Sequence, residues 1–474
     1  MRQDSRVKIN RRDLIKLGGG LLGATVASAL TSRALLKPSE VVQADTPVRR
    51  ARAAQGLASK GAAGADPVGQ VGDADLHFVA TDGWIYLDPL ATVPPYHPDN
   101  MAPDPFTTYI FGFRNVTPVS NDSAKVFAQK MKAQLAAPLF WFEEGGEYRL
   151  KVTNLGLQIR PDLIDAHTLH FHGFRNAIPI FDGEPHSSVG VPIARDLIYL
   201  YRPHDPGTYM YHCHFEETEH VHMGMVGPCF IAPAQNEGAP GLLMARLKGN
   251  PDPGAPLGYA YNDGDGSTAY DREFIVFLSE IWTVSHWSDS HVQLPEWSEY
   301  APEFYLLNGR VWPDTLLPDG LGTEPATGDL IPPPGHPELQ YQPMSAVIQA
   351  SPGERVLLRF INLGYEQQAM RLEGITMKVV GKDATLLRGR NGADLFFDTN
   401  TVAIGPGESV DAIFVAPPYV GGLPYDRYLL YNRSYQRLTN GGHPGYGGQM
   451  TEVRVYPSDA LPPQTEPNTR VEPV

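Results

Sequence analysis

The sequence predicts an all-β protein made of two domains in tandem, each a sandwich or barrel, and three observations predict it. Its 474 residues exceed one ordinary domain, and two domains of this size can each bury a core. The 47 Gly, 44 Pro and 22 Tyr punctuate many short runs of Val, Ile, Phe and Thr, with no long amphipathic helix, as in a turn-rich β chain. Two β-rich blocks also look like variants of one unit. GGEYRLKVTNLG at 145–156 is matched by PGERVLLRFINLG at 352–364, and YMYHCH at 209–214 by YLLYNR at 428–433.

Taken in order, residues 1–44 read as a targeting segment. A basic stretch with Asn10-Arg11-Arg12-Asp13 precedes an apolar run from Leu17 to Leu30, and Val42-Gln43-Ala44 offers a small-residue cleavage site. The segment resembles a twin-arginine export signal, which implies a periplasmic or extracellular destination. Residues 45–73 are Ala/Gly-rich and read as a flexible linker. The first folded block, 74–235, holds the apolar segments FTTYIFGF, EYRLKVTNLG, RDLIYLYRP and MVGPCFIAP between turn residues. Residues 236–270, with NPDPGAP and NDGDGS, read as an interdomain linker; 271–460 form the second block and 461–474 a Pro-rich tail. The formal charge is -15, and removing the eight basic and three acidic residues of 1–44 makes it -20. So acidic a chain lacks the basic footprint that nucleic acid or an anionic membrane surface requires.

Chemistry concentrates in one third of the chain. His167-Thr-Leu-His170-Phe-His172 and His212-Cys213-His214 read as strands, on which side chains alternate faces. That parity sets His167 and Cys213 on one face, where the following loop can return His220 and Met225. A thiolate, two imidazoles and a weak thioether form the ligand field of a blue electron-transfer copper. The opposite face collects four imidazoles, His170, His172, His212 and His214, which suit further copper ions. Zinc also takes His and Cys, but a methionine in place of a fourth strong ligand favours copper. Cys229 reads as a small buried residue on a strand, His222 as structural. His77, His97, His186, His204, His286, His291, His336 and His443 are scattered, with surface or turn roles expected.

These motifs resemble the multicopper oxidase family. HTLHFHG is similar to its H-P-x-H-x-H-G motif, and HCHFEETEHVHMGM to its H-C-H-x-x-x-H-x-x-x-G-M motif, with extra residues before His220. The resemblance implies two cupredoxin-like Greek-key sandwiches. It also implies type 1 copper on His167, Cys213, His220 and Met225, and contributions from His170, His172, His212 and His214 to an oxygen-reducing cluster. Cys213, His212 and His214 would then be the catalytic connection between the two.

The family builds its trinuclear cluster from four His-x-His pairs, and this chain has two besides the type 1 motif. Where the repeat locates the missing ones, it has Arg371, Glu373, Tyr431 and Arg433, so the second sandwich is expected to lack copper ligands. Guanidinium groups there would repel copper. The expected function is an exported copper oxidoreductase, oxidising a small-molecule or protein electron donor one electron at a time, with oxygen as acceptor. A homotrimer is expected if the four imidazoles meet a neighbouring chain. The alternatives are an electron carrier without catalysis and an enzyme like the two-domain copper nitrite reductases. That last group has an acidic residue where this chain has His170, and lacks His214.

Overall fold

The computed structural model describes residues 52–53, 74–238, 257–421 and 424–473. The expected export segment and most of the 45–73 linker lie outside them. From that linker, Arg52–Ala53 pair antiparallel with Phe140 and Trp141.

Alternation builds the first sandwich. In Tyr148–Gly156, Tyr148, Leu150 and Val152 point inward while Arg149, Lys151 and Thr153 lie nearer water, so one face of the strand can join a core. That strand sits in a four-stranded sheet ordered Thr107–Asn115, Leu76–Tyr86, Tyr148–Gly156, Asp196–Tyr201. The facing sheet runs Arg52–Ala53, Phe140–Glu143, β3 (Val226–Ala232), β2 (Gly207–His212), β1 (His170–Phe171). Between them lies an aromatic-rich core including Phe78, Phe111, Phe140, Phe142, Phe171 and Tyr211.

The second sandwich repeats the plan. Its five-stranded sheet is ordered Ile348–Ala350, β6 (Met450–Val455), β5 (Asp426–Asn432), β4 (Gln368–Leu372), Thr401–Ile404. The other sheet centres on Arg272–Ile281, Arg355–Asn362 and Ser409–Val415. Arg355–Asn362 is buried along nearly its whole length, as a strand covered on both faces must be. The all-β tandem sandwich expected from the sequence is the observed fold. Two short helices matter below: α1 (Glu217–His222) and α2 (Thr283–Ser290).

The sandwiches are fused, not strung apart. Trp141, Met210, Val226 and Phe230 of the first pack with Ile275, Phe277 and Ile361 of the second. At the seam, buried Arg359 pairs with Glu273 at 2.8 Å, stacks over Phe230 and donates to Thr208 at 3.0 Å. Asp411 and Ser409 also bond Thr208. Such a buried guanidinium is tolerable because its Nε and Nη1 find acceptors and its Nη2 lies against the Glu273 carboxylate.

Three sequence expectations change here. The described part of the supposed interdomain linker is ordered: Gly258–Tyr259 and Ala269–Tyr270 form a hairpin, and buried Tyr261 donates to Asp411 at 2.5 Å. In the tail, Gln464 is buried and bonds the backbone of Glu273. His77, His97 and His286 are core residues, each paired through its ring, so hydrogen bonding lets these polar rings enter the interior. Among the described residues no helix is long and apolar enough to cross a membrane.

Candidate metal centre

Two donor sets stand on either side of one strand end. β2 stops at His212, so Cys213 and His214 leave the sheet where the chain turns toward α1. On the core side, Cys213 Sγ lies 3.7 Å from His167 Nδ1 and 3.3 Å from His220 Nδ1. These three donor atoms lie within 4.8 Å of one another, and all three residues are buried. His167 is held by an isolated bridge to Val191. α1 returns His220, and Met225 is fixed by two backbone bonds: its carbonyl accepts from Cys213 N at 3.1 Å, and its N–H donates to His220 O at 2.9 Å. Met225 itself is fully buried beside this set.

Electrostatics prepare the thiolate. Burial alone would push the Cys213 thiol up, but the His220 and His167 imidazoles outweigh it and hold the thiol well below its ordinary range. Burial opposes charge on His220 too, yet the Cys213 sulfur and the Asp165 carboxylate raise its imidazole to about 10. A soft anionic sulfur beside two ring nitrogens is a donor set that copper or zinc can take.

On the other side His172 Nε2 and His212 Nε2 are 2.9 Å apart, and His170 joins them with donor atoms mutually within 4.8 Å. Backbone carbonyls fix the rings. His170 Nδ1 lies 2.8 Å from Asp182 O, His172 Nδ1 3.1 Å from Gly407 O, and His212 Nδ1 2.8 Å from Cys213 O. A carbonyl oxygen only accepts, so each Nδ1 carries a proton and, in a neutral ring, each Nε2 presents a lone pair; two such nitrogens 2.9 Å apart call for a shared cation or proton between them. Burial lowers the basicity of all three rings, most strongly for His212. His214 is less engaged: its ring centroid is 4.7 Å from that of His170, but its donor atoms fall outside the convergent trio. No residue of the second sandwich joins either donor set among the described residues.

The repeat positions carry different chemistry. Arg371 and Tyr431 are strand partners, and Glu373 accepts from both, at 2.7 and 3.0 Å. This exposed ion-paired cluster stands where the first sandwich holds imidazoles. Cys229 is a buried free thiol pushed up by burial, and no disulfide links it to Cys213. His222 is buried, accepts from Trp282 N at 3.2 Å and packs against His286, Trp297, Tyr300 and Tyr365.

Sequence reasoning missed Asp165, Asp182 and Gly407. Asp165 Oδ2 lies 3.7 Å from His220 Nε2. Its signal was present, because a residue two before His167 shares the face of His167 in extended chain. The carbonyls of Asp182 and Gly407 left none, since every residue carries one.

Comparison with known proteins identifies the family. The multicopper oxidase family models match residues 114–235 and 272–437, together more than half of the chain. The chain belongs to the multicopper oxidase family. That family is one of copper oxidoreductases. Laccase-5 of Arabidopsis thaliana is 30% identical over 144 residues, 28% of this chain and 23% of that protein. The chain thus matches under a quarter of this relative. A blue copper oxidase from Nitrosomonas europaea superposes with a TM-score of 0.51 at 21% identity, covering 80% of this chain and 85% of its own, and shows the shared fold. The multicopper oxidase mgLAC gives 0.48 at 18% identity, over 82% and 87%.

Proposed function

We propose that the protein is an exported copper oxidoreductase in which His167, Cys213, His220 and Met225 hold a type 1 copper, and His170, His172 and His212, with His214 beside them, hold a second copper centre. One observation carries this reading: the adjacent residues His212 and Cys213 contribute one to each donor set, so a short covalent path joins them. Copper bound there would supply one-electron exchange at the first set and binding of the terminal acceptor, oxygen, at the second. The chain's own contribution is geometric. Backbone carbonyls aim three Nε2 atoms at one point, and burial keeps those rings neutral. The aromatic core around Cys213 excludes water from the thiolate. Asp165 stands against His220, its Oδ2 3.7 Å from Nε2, and a small-molecule or protein donor would supply electrons to this set.

The export signal belongs to the same proposal, supported by the Arg11-Arg12 motif, and Arg11→Lys with Arg12→Lys would trap the precursor in the cytoplasm. A homotrimer belongs to it as well. Exposed Ile178, Ile180 and Val189 flank Asp182, which anchors His170, and a neighbouring chain could cover them there. Light scattering reads that mass directly.

Metal analysis of the purified protein, together with oxygen uptake in the presence of a generic reductant, tests the central reading. Two or more coppers per chain with oxygen uptake support it. A single copper with a blue band and no oxygen uptake would assign the protein as an electron carrier; nitrite consumption in place of oxygen would assign the nitrite-reductase-like alternative.

A further inference from the structure

We propose that Gly407, on the second sandwich, is the positioning residue that fixes the His172 ring for metal binding. The proposal rests on the copper reading of the imidazole set only for its consequence, since the contact itself stands in the geometry. Of the three convergent rings, two are anchored close to home. His212 uses the carbonyl of Cys213, its own neighbour, and His170 that of Asp182 in the following loop. His172 instead reaches across the seam to a carbonyl 235 residues away. A sandwich that adds no side chain to either donor set among the described residues thus still sets the direction of one ligand.

The turn that presents this carbonyl is pinned. Gly407 N–H donates to Asn362 O at 2.8 Å, and the Glu408 carboxylate accepts from Gly405 N at 2.8 Å and from Lys382 at 3.3 Å. Gly407 sits at φ +74°, in the left-handed region that favours glycine. A Cβ there would meet Cε1 and Nδ1 of His172, each at 2.8 Å, nearer than real Cβ atoms come. The ring has little room to retreat, because His212 packs against it with centroids 4.9 Å apart. Any side chain at 407 would therefore swing His172 Nε2 off the common point.

The molecule contains its own control. Pro352-Gly353-Glu354 has the same three-residue sequence as Pro406-Gly407-Glu408, with Gly353 at φ +81° and the Glu354 carboxylate accepting from Ser351 N as Glu408 does from Gly405. A Cβ on Gly353 meets nothing within 4 Å. The two glycines share backbone strain and differ in what stands over them.

The experiment uses full-length protein labelled with 15N-histidine, first free of metal and then titrated with cupric ion. In the wild type, ring 15N shifts should report His172 as the Nδ1–H tautomer; an Nε2–H tautomer overturns the proposal without any variant. Gly407→Ala and Gly353→Ala should both retain the blue band of the Cys213 set. Only Gly407→Ala should lose the His172 tautomer and weaken cupric binding at the imidazole set by about 10-fold or more. Unchanged His172 shifts in Gly407→Ala, or equal weakening in both variants, overturns it. Should the wild type bind no cupric ion at the imidazoles, the copper reading of that set fails, while the 15N comparison still decides the role of Gly407.

Discussion

In the first sandwich Cys213 N–H donates to Met225 O at 3.1 Å, Met225 N–H to His220 O at 2.9 Å, and His172 N–H to Met210 O at 3.2 Å. In the second, the same bonds run from Asn432 to Gln449 at 3.0 Å, Gln449 to Arg437 at 3.0 Å, and Glu373 to Leu429 at 2.9 Å. The strand registers agree, His170 opposite His212 and Arg371 opposite Tyr431. Asn432 thus stands at the place of Cys213, Gln449 at that of Met225 and Arg437 at that of His220. Gln368, three residues before Arg371, stands at that of His167.

What fills these places differs in kind. Asn432 Nδ2 donates to Gln368 Oε1 and Gln449 Oε1, each at 2.7 Å, and Arg437 donates to Gln368 Oε1 at 2.7 Å. Amides can satisfy one another and a guanidinium is already a cation, so this pocket completes itself. A thiolate with imidazoles leaves lone pairs converging on a point, which is what a metal needs. Both sandwiches place polar groups that need partners at these positions, and a bound metal would be one of two ways to supply them.

Substitution at the matched positions sharpens this most. Cys213→Ser should abolish the blue band and oxygen uptake together, whereas Asn432→Ser should leave the metal content per chain unchanged; oxygen uptake surviving in Cys213→Ser would break the covalent link between the two sets. Asn432→Ala should cost about 2 kcal/mol, because the Gln368 and Gln449 oxygens lose a buried donor. Urea denaturation at constant m reads this, and an unchanged midpoint would mean that the amide pocket stabilises nothing.

Two buried groups, one in each half, also answer acid in opposite senses. His77, in the first sandwich, is lowered by burial from 6.5 to about 3, so between those values the unfolded chain binds a proton that the native ring refuses. Its stability is intact above pH 6.5 and is lost as pH falls through that window. Glu280, in the second sandwich, is raised by burial from 4.5 to about 7, so the native state holds the extra proton and this contribution weakens as pH rises from 4.5 to 7. His77→Gln should therefore reduce the stability lost between pH 7 and pH 5 by about 2 kcal/mol. An equal loss in wild type and variant would assign the acid sensitivity elsewhere. The smallest effect is expected of Arg371→Ala, whose exposed partner pair should not change the melting temperature measurably. His170→Ala at the matched position should lower the cupric content, and equal effects of the two would erase the contrast between the faces.

Period-two alternation made the strands visible, as in Tyr148–Gly156, and the same parity assigned His167 and Cys213 to one face and the remaining imidazoles to the other. The scattered histidines misled: His77 reads as a surface residue until Ser120 and Thr153 are seen to bond both its nitrogens, 43 and 76 residues away. His214 shows the limit of parity, which gives a face but not a distance. The hairpin at 258–270 was hidden because Gly and Asp in NDGDGS serve a tight turn as readily as an open loop.

By itself the sequence determined which residue types could grip a metal and on which side of a strand each would lie, because covalent geometry alternates side chains whatever surrounds them. Tertiary structure alone decided which imidazoles converge and which nitrogen each one offers. Those outcomes depend on carbonyls such as that of Gly407, brought from a distant turn by the packing of one sandwich on the other.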